Sequence, residues 1–444
     1  MVRARPAFLH GVRVLAVAAV AAIWAGTANA AVTAVTASSA TLTWTTPSPL
    51  RQRVAYGVGG LYLYTQRESA PSTSHSVTLS DLTPSTTYSY QVGSLTGSLT
   101  TAAAPAEARF GTDGTRMTEN GALFFPVMSY EQCAATISRA LAVGINTFVQ
   151  VPYTGCTQPA GVTPPYLLGD SYSSKQGAGW YLPDEPDGWG TPPAELPKLP
   201  AAADSGMLRV LNISQHFYSG VAPLNPQYDR NTYKDYTALA DVVGFDVYPI
   251  VKFCGRVPLT AMFHAQRELM TIYAPGKPTF QWVETSQMTG ECPTIEVTPE
   301  IVNAETWLAL AGGACGIGYF TNSWTGRLWN RWDFDPGVEQ ALPGIVQRVL
   351  GLAPALCDGT YGDVVTPWDG TVVASSRELN GALYVIAVNG SPNSTNVPFS
   401  VPGLDGRQLT VLGEARTIKP VRKLIFRDSF APFGVHLYLA APTP

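Results

Sequence analysis

The order of apolar and polar residues divides the chain into three regions with different periodicities. Residues 31–103 and 361–444 contain short segments in which apolar and polar residues alternate, and this alternation is typical of half-buried β-strands. Residues 109–357 contain apolar runs that alternate with stretches whose apolar residues recur every three to four positions, which indicates strands alternating with helices. The pattern predicts an α/β region between two all-β regions.

The α/β region contains eight strand-like segments. In chain order they are GALFFPVMSY, INTFVQVPY, PPYLLGD, GWYLPDEP, LRVLNISQHFY, VVGFDVYPI, PTFQWVET and CGIGYFTNSW. Amphipathic runs such as YEQCAATISRALAVG and TAMFHAQRELMTIY separate several of them. Eight apolar strands with intervening helices over about 250 residues predict a (β/α)8 TIM barrel in residues 109–357. The stretch after the second strand shows no convincing helical pattern, so the barrel prediction is weakest there.

The flanking regions predict β-sandwiches. In residues 31–103, the segment VTLSDLTPSTTYSYQV resembles the fibronectin type III turn in which a leucine, a proline and a tyrosine form a tyrosine corner, here Leu82, Pro84 and Tyr88. Trp44 stands where that fold has its core tryptophan. The region also resembles the sandwich that precedes purple acid phosphatase domains, but the metal-binding motifs of those enzymes do not follow it. We therefore expect an accessory fibronectin III-like module, a linker at 101–108, and a second sandwich over residues 361–444.

The first thirty residues predict an export signal. Basic residues precede a short apolar run from Val14 to Trp24, and the small-residue pattern Ala28-Asn29-Ala30 follows it, as in cleaved signal peptides. The alternative is an uncleaved membrane anchor, but the run is shorter than the ~20 residues that a spanning helix needs. Since no second apolar span follows, we expect a secreted protein with no membrane span after cleavage.

Composition and motifs exclude several classes of function. The chain of 444 residues has 28 Lys and Arg against 32 Asp and Glu, a net charge of -4, so it lacks the basic surface that nucleic acid requires. There is no G-x-S-x-G elbow, P-loop or G-x-G-x-x-G motif, which argues against a serine hydrolase or a nucleotide enzyme. With five histidines and no H-E-x-x-H motif, the sequence predicts no metal and no cofactor.

The six cysteines all lie between residues 133 and 357. An exported protein tends to pair its cysteines, and six of them allow fifteen connectivities. Proximity in sequence favours the pairs 133–156, 254–292 and 315–357, although the sequence leaves the other pairings open.

Acidic residues follow two of the predicted barrel strands. The fourth strand runs into Asp184, Glu185 and Asp187, and the seventh ends at Glu284. Because the active site of a (β/α)8 barrel lies at the C-terminal ends of its strands, we expect Glu185 and Glu284 on opposite walls of one cleft. Two carboxyls placed in this way suit glycoside hydrolysis, in which one protonates the leaving oxygen and the other attacks the anomeric carbon.

This layout resembles clan A of the retaining glycoside hydrolases. The resemblance implies that Glu185 is the acid/base and Glu284 the nucleophile, that Tyr248 of DVYP orients the nucleophile, and that Trp324 forms the floor of the sugar subsite. One residue departs from the pattern: Asp184 stands where the clan usually has an asparagine that binds the sugar 2-hydroxyl.

Further side chains could bind the substrate. His216 ends the fifth strand, Asp246 lies two residues before Tyr248 on the sixth, and Trp282 lies two before Glu284 on the seventh. Each site residue also has a purely structural interpretation. Glu185 could be a solvated loop acid or a neighbour of a helix N-cap, Glu284 could cap a helix, His216 could bond to the backbone, and the aromatic residues could be core.

The sequence therefore predicts a secreted retaining glycoside hydrolase that cleaves a β-linked oligo- or polysaccharide by a two-glutamate mechanism. One alternative is a catalytically inactive carbohydrate-binding or cell-surface interaction protein on the same scaffold, which Asp184 in place of asparagine favours. Another is a barrel lyase or other acid-dependent carbohydrate enzyme, because two acids do not specify the reaction.

Overall fold

We describe the protein from a computed structural model. The described residues are 30–36, 39–80, 82–83, 85–102, 109–149, 167–168, 177–218, 220, 228–288, 292, 295–325, 328–366 and 370–442. They form two compact units, residues 1–107 and 108–444. Residues 1–29 of the predicted signal segment 1–30 lie outside the described residues. No helix in the described part of the chain is long and apolar enough to cross a membrane.

The first unit is an antiparallel β-sandwich of two sheets. One sheet has, in spatial order, the strands Ala31–Val35, Ala40–Leu50 and Ser72–Leu79. The other has the strands Tyr64–Arg67, Arg53–Val58, Thr87–Val92 and Leu95–Thr100. Trp44 is buried between them, and the Tyr88 hydroxyl accepts a hydrogen bond of 2.9 Å from the main-chain N–H of Thr83. The predicted sandwich and the contact that defines a tyrosine corner are both present.

The centre of the second unit is a parallel sheet of eight strands. We label them β1 to β8 in chain order: Val127–Tyr130, Thr147–Val149, Leu167–Leu168, Gly179–Tyr181, Leu208–Ile213, Val242–Asp246, Thr279–Glu284 and Ile317–Phe320. Each described strand falls within one of the eight predicted segments. Because β1 pairs with β8, the sheet closes on itself except between β2 and β3, which lie side by side without a hydrogen-bonded ladder. The predicted (β/α)8 barrel is confirmed as a nearly closed one.

Helices follow most of the strands. We label them α1 to α7: Ala134–Ala142, Pro186–Trp189, Ala202–Ser205, Arg230–Ala238, Ala261–Glu268, Pro299–Gly312 and Val338–Asp358. Short 3₁₀ turns occupy Pro193–Glu195 and Gln215–Phe217, and a π-helical turn, Leu269–Tyr273, extends α5. The stretch after β2, where the sequence predicts no helix, lies outside the described residues.

Large aromatic side chains fill the barrel interior where glycines leave room for them. Phe280 and Trp282 of β7 point inward, beside Gly244 of β6 and Gly318 of β8 in the strand register. A Cβ atom at either glycine would overlap the neighbouring ring. The pattern of large and small residues on adjacent strands therefore determines where along the barrel axis these aromatic rings lie.

A short antiparallel sheet closes the N-terminal end of the barrel. It consists of Phe110–Asp113, Arg116–Glu119 and Ala122–Phe124. Its side chains Phe110, Met117 and Phe124 join the core of the barrel interior. Since this end is filled with apolar groups, polar chemistry is confined to the opposite end, where the strands terminate.

The C-terminal region contains two more antiparallel sheets. The larger has the order Thr360–Asp363, Val372–Leu379, Ala382–Asn389, Val435–Ala440, Leu409–Val411 and Thr417–Ile418. The smaller pairs Thr395–Ser400 with Ile425–Phe430. The predicted β-sandwich is present, and one face of the larger sheet contributes Val373, Ile386, Val388 and Leu437 to the core of the barrel helices.

A fully buried arginine joins this sheet to the barrel. The Arg377 guanidinium donates hydrogen bonds of 2.8 Å to the Leu310 carbonyl in the last turn of α6 and 3.4 Å to the Leu356 carbonyl in the last turn of α7. It also lies 4.1 Å from the centre of the Tyr361 ring. The carbonyl ends of two helix dipoles favour a cation there, and burial lowers the pKa of Arg377 to about 10.

Two of the predicted disulfides are confirmed. Cys254 pairs with Cys292 and Cys315 with Cys357, at Cα–Cα distances of 5.1 and 5.4 Å. Cys133 is also disulfide-bonded, and its predicted partner Cys156 lies outside the described residues.

We expect the substitution Cys315→Ala/Cys357→Ala to lower the free energy of unfolding by about 3–4 kcal/mol, because the bridge closes a loop of 42 residues in the unfolded chain. Urea unfolding under non-reducing conditions measures this loss. Equal unfolding midpoints for wild type and variant would show that the bridge contributes nothing. Free-thiol titration of the denatured, unreduced wild type should find no reactive thiol, and two or more would contradict three disulfides.

We expect Gly318→Ala to destabilise the protein by about 1–3 kcal/mol, because the Trp282 ring is buried and must shift to admit the new methyl group. Gly344→Ala in the middle of α7 is the control. No atom lies within 4 Å of the added methyl there, so that change should stabilise the protein by about 0.5–1 kcal/mol. Thermal unfolding distinguishes the two, and equal shifts would contradict the packing argument.

Candidate active site

Asp184 and Glu185 lie shortly after the C-terminal end of strand β4. The N–H groups of Leu182 and Glu185 bond to the carbonyls of Val210 and Asn212, which keeps the segment alongside β5 after β4 has ended. Glu185 has φ 43° and ψ 50°, in the left-handed region, and it is the N-cap residue of the short helix α2. A non-glycine residue in this region is strained, and such strain is concentrated at functional sites.

Asp184 is held by three donors from three strands. It accepts hydrogen bonds from the Tyr181 hydroxyl at 3.0 Å, the Tyr130 hydroxyl at 3.3 Å and the Asn212 amide at 3.0 Å. Burial raises the pKa of Asp184, and these hydrogen bonds oppose the rise. The three donors stabilise the carboxylate form of Asp184 against the effect of burial.

Glu185 interacts with the carboxyl of Asp246, the last residue of β6. The two carboxyls are close enough for one to donate a hydrogen bond to the other when it is protonated. Burial and the charge of Asp184 raise the pKa of Glu185 from 4.5 to about 7, and the bond to Asp246 opposes this rise. The pKa of Asp246 is raised well above its usual range, first by burial and then by Glu185. Asp246 is therefore the donor of the pair.

The contacts of Asp187 indicate a structural role for this residue. It is fully buried and accepts hydrogen bonds from the main chain and hydroxyl of Ser214 at 2.9 and 2.7 Å and from the Tyr233 hydroxyl at 3.1 Å. The Ser214 hydroxyl also lies 2.7 Å from Nδ1 of His216. Because that hydroxyl gives its single proton to Asp187, Nδ1 of His216 must be the donor. The predicted site residue His216 is thus linked to the β4 segment through Ser214.

Aromatic rings form a layer beneath the carboxyls. Tyr130 contacts Tyr181, Trp282 and Phe320, and Phe320 contacts Tyr248. Tyr248 lies in the field of Asp246, Glu185, Asp184 and Glu284, whose charges together with burial raise the pKa of its phenol. Trp282 is only 2% exposed, so its ring supports this layer from below and does not present a free face.

Two tryptophans are exposed near the ends of the strands. Trp324 follows β8, stacks on Phe320 with a ring separation of 5.8 Å and is 42% exposed. Trp189 ends α2, four residues after Glu185, and is 79% exposed. An exposed indole offers a flat apolar face of the kind that binds the apolar face of a sugar ring.

Glu284 lies in a closed environment. Its side chain is 0% exposed, and its two carboxyl oxygens accept hydrogen bonds of 2.8 and 2.7 Å from the main-chain N–H groups of Ile250 and Val251. It also interacts with the buried carboxyl of Glu305 on α6, and burial together with Glu284 raises the pKa of Glu305 well above its usual range. Burial raises the pKa of Glu284, and these three contacts oppose the rise. The two predicted catalytic glutamates thus have different carboxyl partners.

The sequence analysis did not single out Glu131, which follows β1 as Glu185 follows β4. It has φ 47° and is 7% exposed. Burial raises its pKa from 4.5 to about 7, the Arg331 guanidinium opposes the rise, and the charge of Asp184 adds to it. The sequence signal for Glu131 is an acidic residue directly after an apolar strand. In SYEQC, however, such a residue is equally well explained as the polar start of helix α1.

Among the described residues, no cluster of three or more His, Cys, Asp or Glu side chains could hold a metal ion. The chemistry that the described groups offer is proton transfer. Glu185 is half-buried and holds its proton up to about pH 7, and Asp184 with its hydrogen-bonded tyrosines lies next to it. Such a group can act as a general acid near neutral pH.

One part of the chain matches a known protein family. Residues 27–104 match the family "Purple acid Phosphatase, N-terminal domain", which agrees with the resemblance that the sequence shows. That match covers less than half of the chain and includes none of the barrel. No curated protein matches the chain.

Solved structures that resemble the fold include three carbohydrate-active enzymes. An α-amylase from Geobacillus thermoleovorans has 12% identity and a TM-score of 0.40 over 55% of this chain and 56% of its own. A putative glycoside hydrolase from Bacteroides vulgatus has 10% identity and a TM-score of 0.38 over 91% and 99%. A GH2 β-galacturonidase from Eisenbergiella tayi has 9% identity and a TM-score of 0.36 over 70% and 69%. Similarities of this size do not establish an activity.

We expect Glu185→Gln to stabilise the protein at pH 8 by about 3 kcal/mol and to have little effect at pH 4.5. The folded protein holds the Glu185 proton more tightly than the unfolded chain does, because the pKa rises from 4.5 to about 7. Its stabilising contribution is therefore complete below about pH 4.5 and is lost as the pH rises through 7. Because glutamine does not ionise, the variant does not lose this stability as the pH rises.

Urea unfolding at the two pH values measures the effect. Glu195→Gln, on an exposed 3₁₀ turn, is the matched control and should change stability at neither pH. A pH-independent effect of Glu185→Gln would contradict the raised pKa.

Proposed function

We propose that the protein is a secreted retaining glycoside hydrolase that acts on a β-linked oligo- or polysaccharide, with Glu185 as its acid/base residue. The observation that carries the proposal is the set of carboxyls at the barrel mouth. Asp184, Glu185 and Asp246 converge above an aromatic layer, and Glu185 retains its proton to about pH 7. Exposed Trp324 beside this layer supplies a surface for a sugar ring.

The chemistry follows from these environments. Cleavage of a glycosidic bond needs a proton on the leaving oxygen as the C–O bond breaks. Glu185 can deliver this proton because Asp184 next to it disfavours the charged form of Glu185. Asp184 itself accepts three hydrogen bonds, so it can remain ionised and stabilise positive charge that develops on the sugar.

The finer parts of the proposal have separate support. The retaining outcome and the β-linkage rest on the resemblance of the motifs after β4, β6 and β7 to clan A. Export rests on the N-terminal signal pattern and on the disulfides, which form in oxidising compartments. The carboxyl cluster of Asp184, Glu185 and Asp246 lies within the barrel, so the barrel is where we expect catalysis.

One observation favours the alternative, an inactive carbohydrate-binding protein. Glu284, the residue that the resemblance assigns as nucleophile, has both carboxyl oxygens bonded to main-chain N–H groups and no exposed surface. A panel of aryl β-glycosides and polysaccharides discriminates the two functions. Hydrolysis supports the enzyme, whereas binding of a polysaccharide with no product supports the alternative.

We expect kcat/KM to fall as the pH rises above about 7, because the acid role of Glu185 requires its protonated form. Replacing Glu185 by Ala should slow substrates with poor leaving groups by about 100-fold to 10,000-fold and should slow aryl glycosides with activated leaving groups far less. Glu195→Ala serves as the control and should match wild type. Equal losses on both substrate types, or an unshifted basic limb in Glu185→Ala, would remove Glu185 from this role.

A further inference from the structure

Helix α2, which has Glu185 as its N-cap residue, is too short to be stable by itself. It consists of the single turn Pro186–Trp189, and its N-cap side chain makes no capping hydrogen bond. The N–H groups of Gly188 and Trp189 donate to the Glu185 carbonyl at 2.9 and 3.1 Å. One turn fixes several dihedral angles in exchange for few hydrogen bonds. Contacts with the rest of the barrel must therefore hold the left-handed backbone of Glu185.

Asp187 anchors α2 to two other elements of the barrel. The first two residues of the helix are buried, whereas the last two are exposed. The Asp187 carboxyl accepts hydrogen bonds from the N–H and the hydroxyl of Ser214, directly after β5, at 2.9 and 2.7 Å. It accepts another of 3.1 Å from the Tyr233 hydroxyl on α4. These donors stabilise the carboxylate form of Asp187 against the effect of burial.

This anchor lies close to the Glu185 side chain. A Cβ atom added to Gly188 would lie 3.6 Å from the Cβ atom of Glu185 and 3.6 Å from that of Ser214, so those two atoms are at most 7.2 Å apart. The Glu185 N–H also donates a hydrogen bond of 3.1 Å to the Asn212 carbonyl of β5. The end of β5 therefore holds this segment at two points, at Glu185 itself and at Asp187 two positions later.

We infer that Asp187 is a positioning residue, which holds the Glu185 carboxyl where it can protonate the leaving oxygen of the glycoside. The inference rests on the proposed function and adds a residue to the acid half of its mechanism. Asp187 is 0% exposed, so it acts through Glu185 and not on the substrate. A displacement of about 1 Å at a reacting group can slow a reaction by about 100-fold.

The Asp187 carboxylate also acts on Glu185 through its charge. Burial and the charge of Asp184 contribute most to the raised pKa of Glu185, and the charge of Asp187 raises it further. The other titratable groups that interact with Glu185 in the described part of the chain are Asp246, Lys252, Tyr130 and Tyr248. Loss of the Asp187 charge should lower the pKa of Glu185. Because the acid acts in its protonated form, the basic limb of kcat/KM should then move to lower pH.

The variant Asp187→Asn tests the inference. Asparagine keeps the shape of the side chain and one acceptor oxygen, so we expect the variant to fold, and its melting temperature verifies this. Its kcat should fall by about 10-fold to 100-fold on substrates with poor leaving groups and far less on activated aryl glycosides, and the basic limb should move to lower pH. Asp204→Asn, at an exposed position of α3, is the matched control and should match wild type.

Two further measurements make the test independent of this one variant. Ser214→Ala removes a donor to Asp187 but no charge, and it replaces Asp187→Asn if that variant does not fold. It should slow substrates with poor leaving groups more than activated ones. Urea unfolding needs no substrate. Glu185→Gln should stabilise the protein at pH 8, relative to pH 4.5, by less in the Asp187→Asn background than in wild type.

The outcomes separate the inference from the proposed function. If wild type hydrolyses no glycoside of the panel, the proposed function itself fails. If wild type is active while Asp187→Asn keeps its activity, or loses both classes of substrate equally with an unmoved basic limb, the function stands and the positioning role of Asp187 is overturned. A selective loss on poor leaving groups, a basic limb at lower pH and a reduced effect of Glu185→Gln support both.

Discussion

The carboxyl group of Asp184 organises the mouth of the barrel. Tyr130 of β1, Tyr181 of β4 and Asn212 of β5 all direct donors at it, so one anion ties together three strands that are not all neighbours in the sheet. The same charge acts on the acids around it, because it raises the pKa of both Glu185 and Glu131. The position and the protonation of the other acids therefore depend on this one group. An asparagine here would keep hydrogen bonds but would remove the electrostatic effect.

This arrangement of acids lowers the stability of the fold in two ways, through backbone strain and through the burial of carboxyl groups. Two glutamates adopt left-handed conformations at strand ends, and each such residue costs on the order of 1–3 kcal/mol. The surrounding structure supports them. Apolar residues close the opposite end of the barrel, and glycines at positions 244 and 318 allow the aromatic layer to pack at full density below the acids. A rigid support of this kind lets the mouth tolerate strain and like charges.

The strands and the acids at their ends could be predicted from sequence, because each strand is an apolar run and each run ends at a polar residue. The contacts of the acids could not. Glu185 and Asp246 are 61 positions apart, and the interaction of their carboxyls depends on how the end of β6 and the segment after β4 come together. The closed environment of Glu284 depends on the N–H groups of Ile250 and Val251 and on Glu305 from α6. Backbone donors carry no side-chain signature, so a sequence pattern cannot show that they engage a carboxylate.

The buried Arg377 limits where the chain can be cut or fused to another protein. Its guanidinium is supplied by the C-terminal sheet and its acceptors by the last turns of two barrel helices. Removing the sheet would leave those carbonyls and a broad apolar face uncovered, while an isolated sheet would carry an unpaired buried cation. The C-terminal β-region is therefore no interchangeable appendage. Gene fusion or truncation at residue 360 would cut through one compact unit and leave these helix ends uncovered.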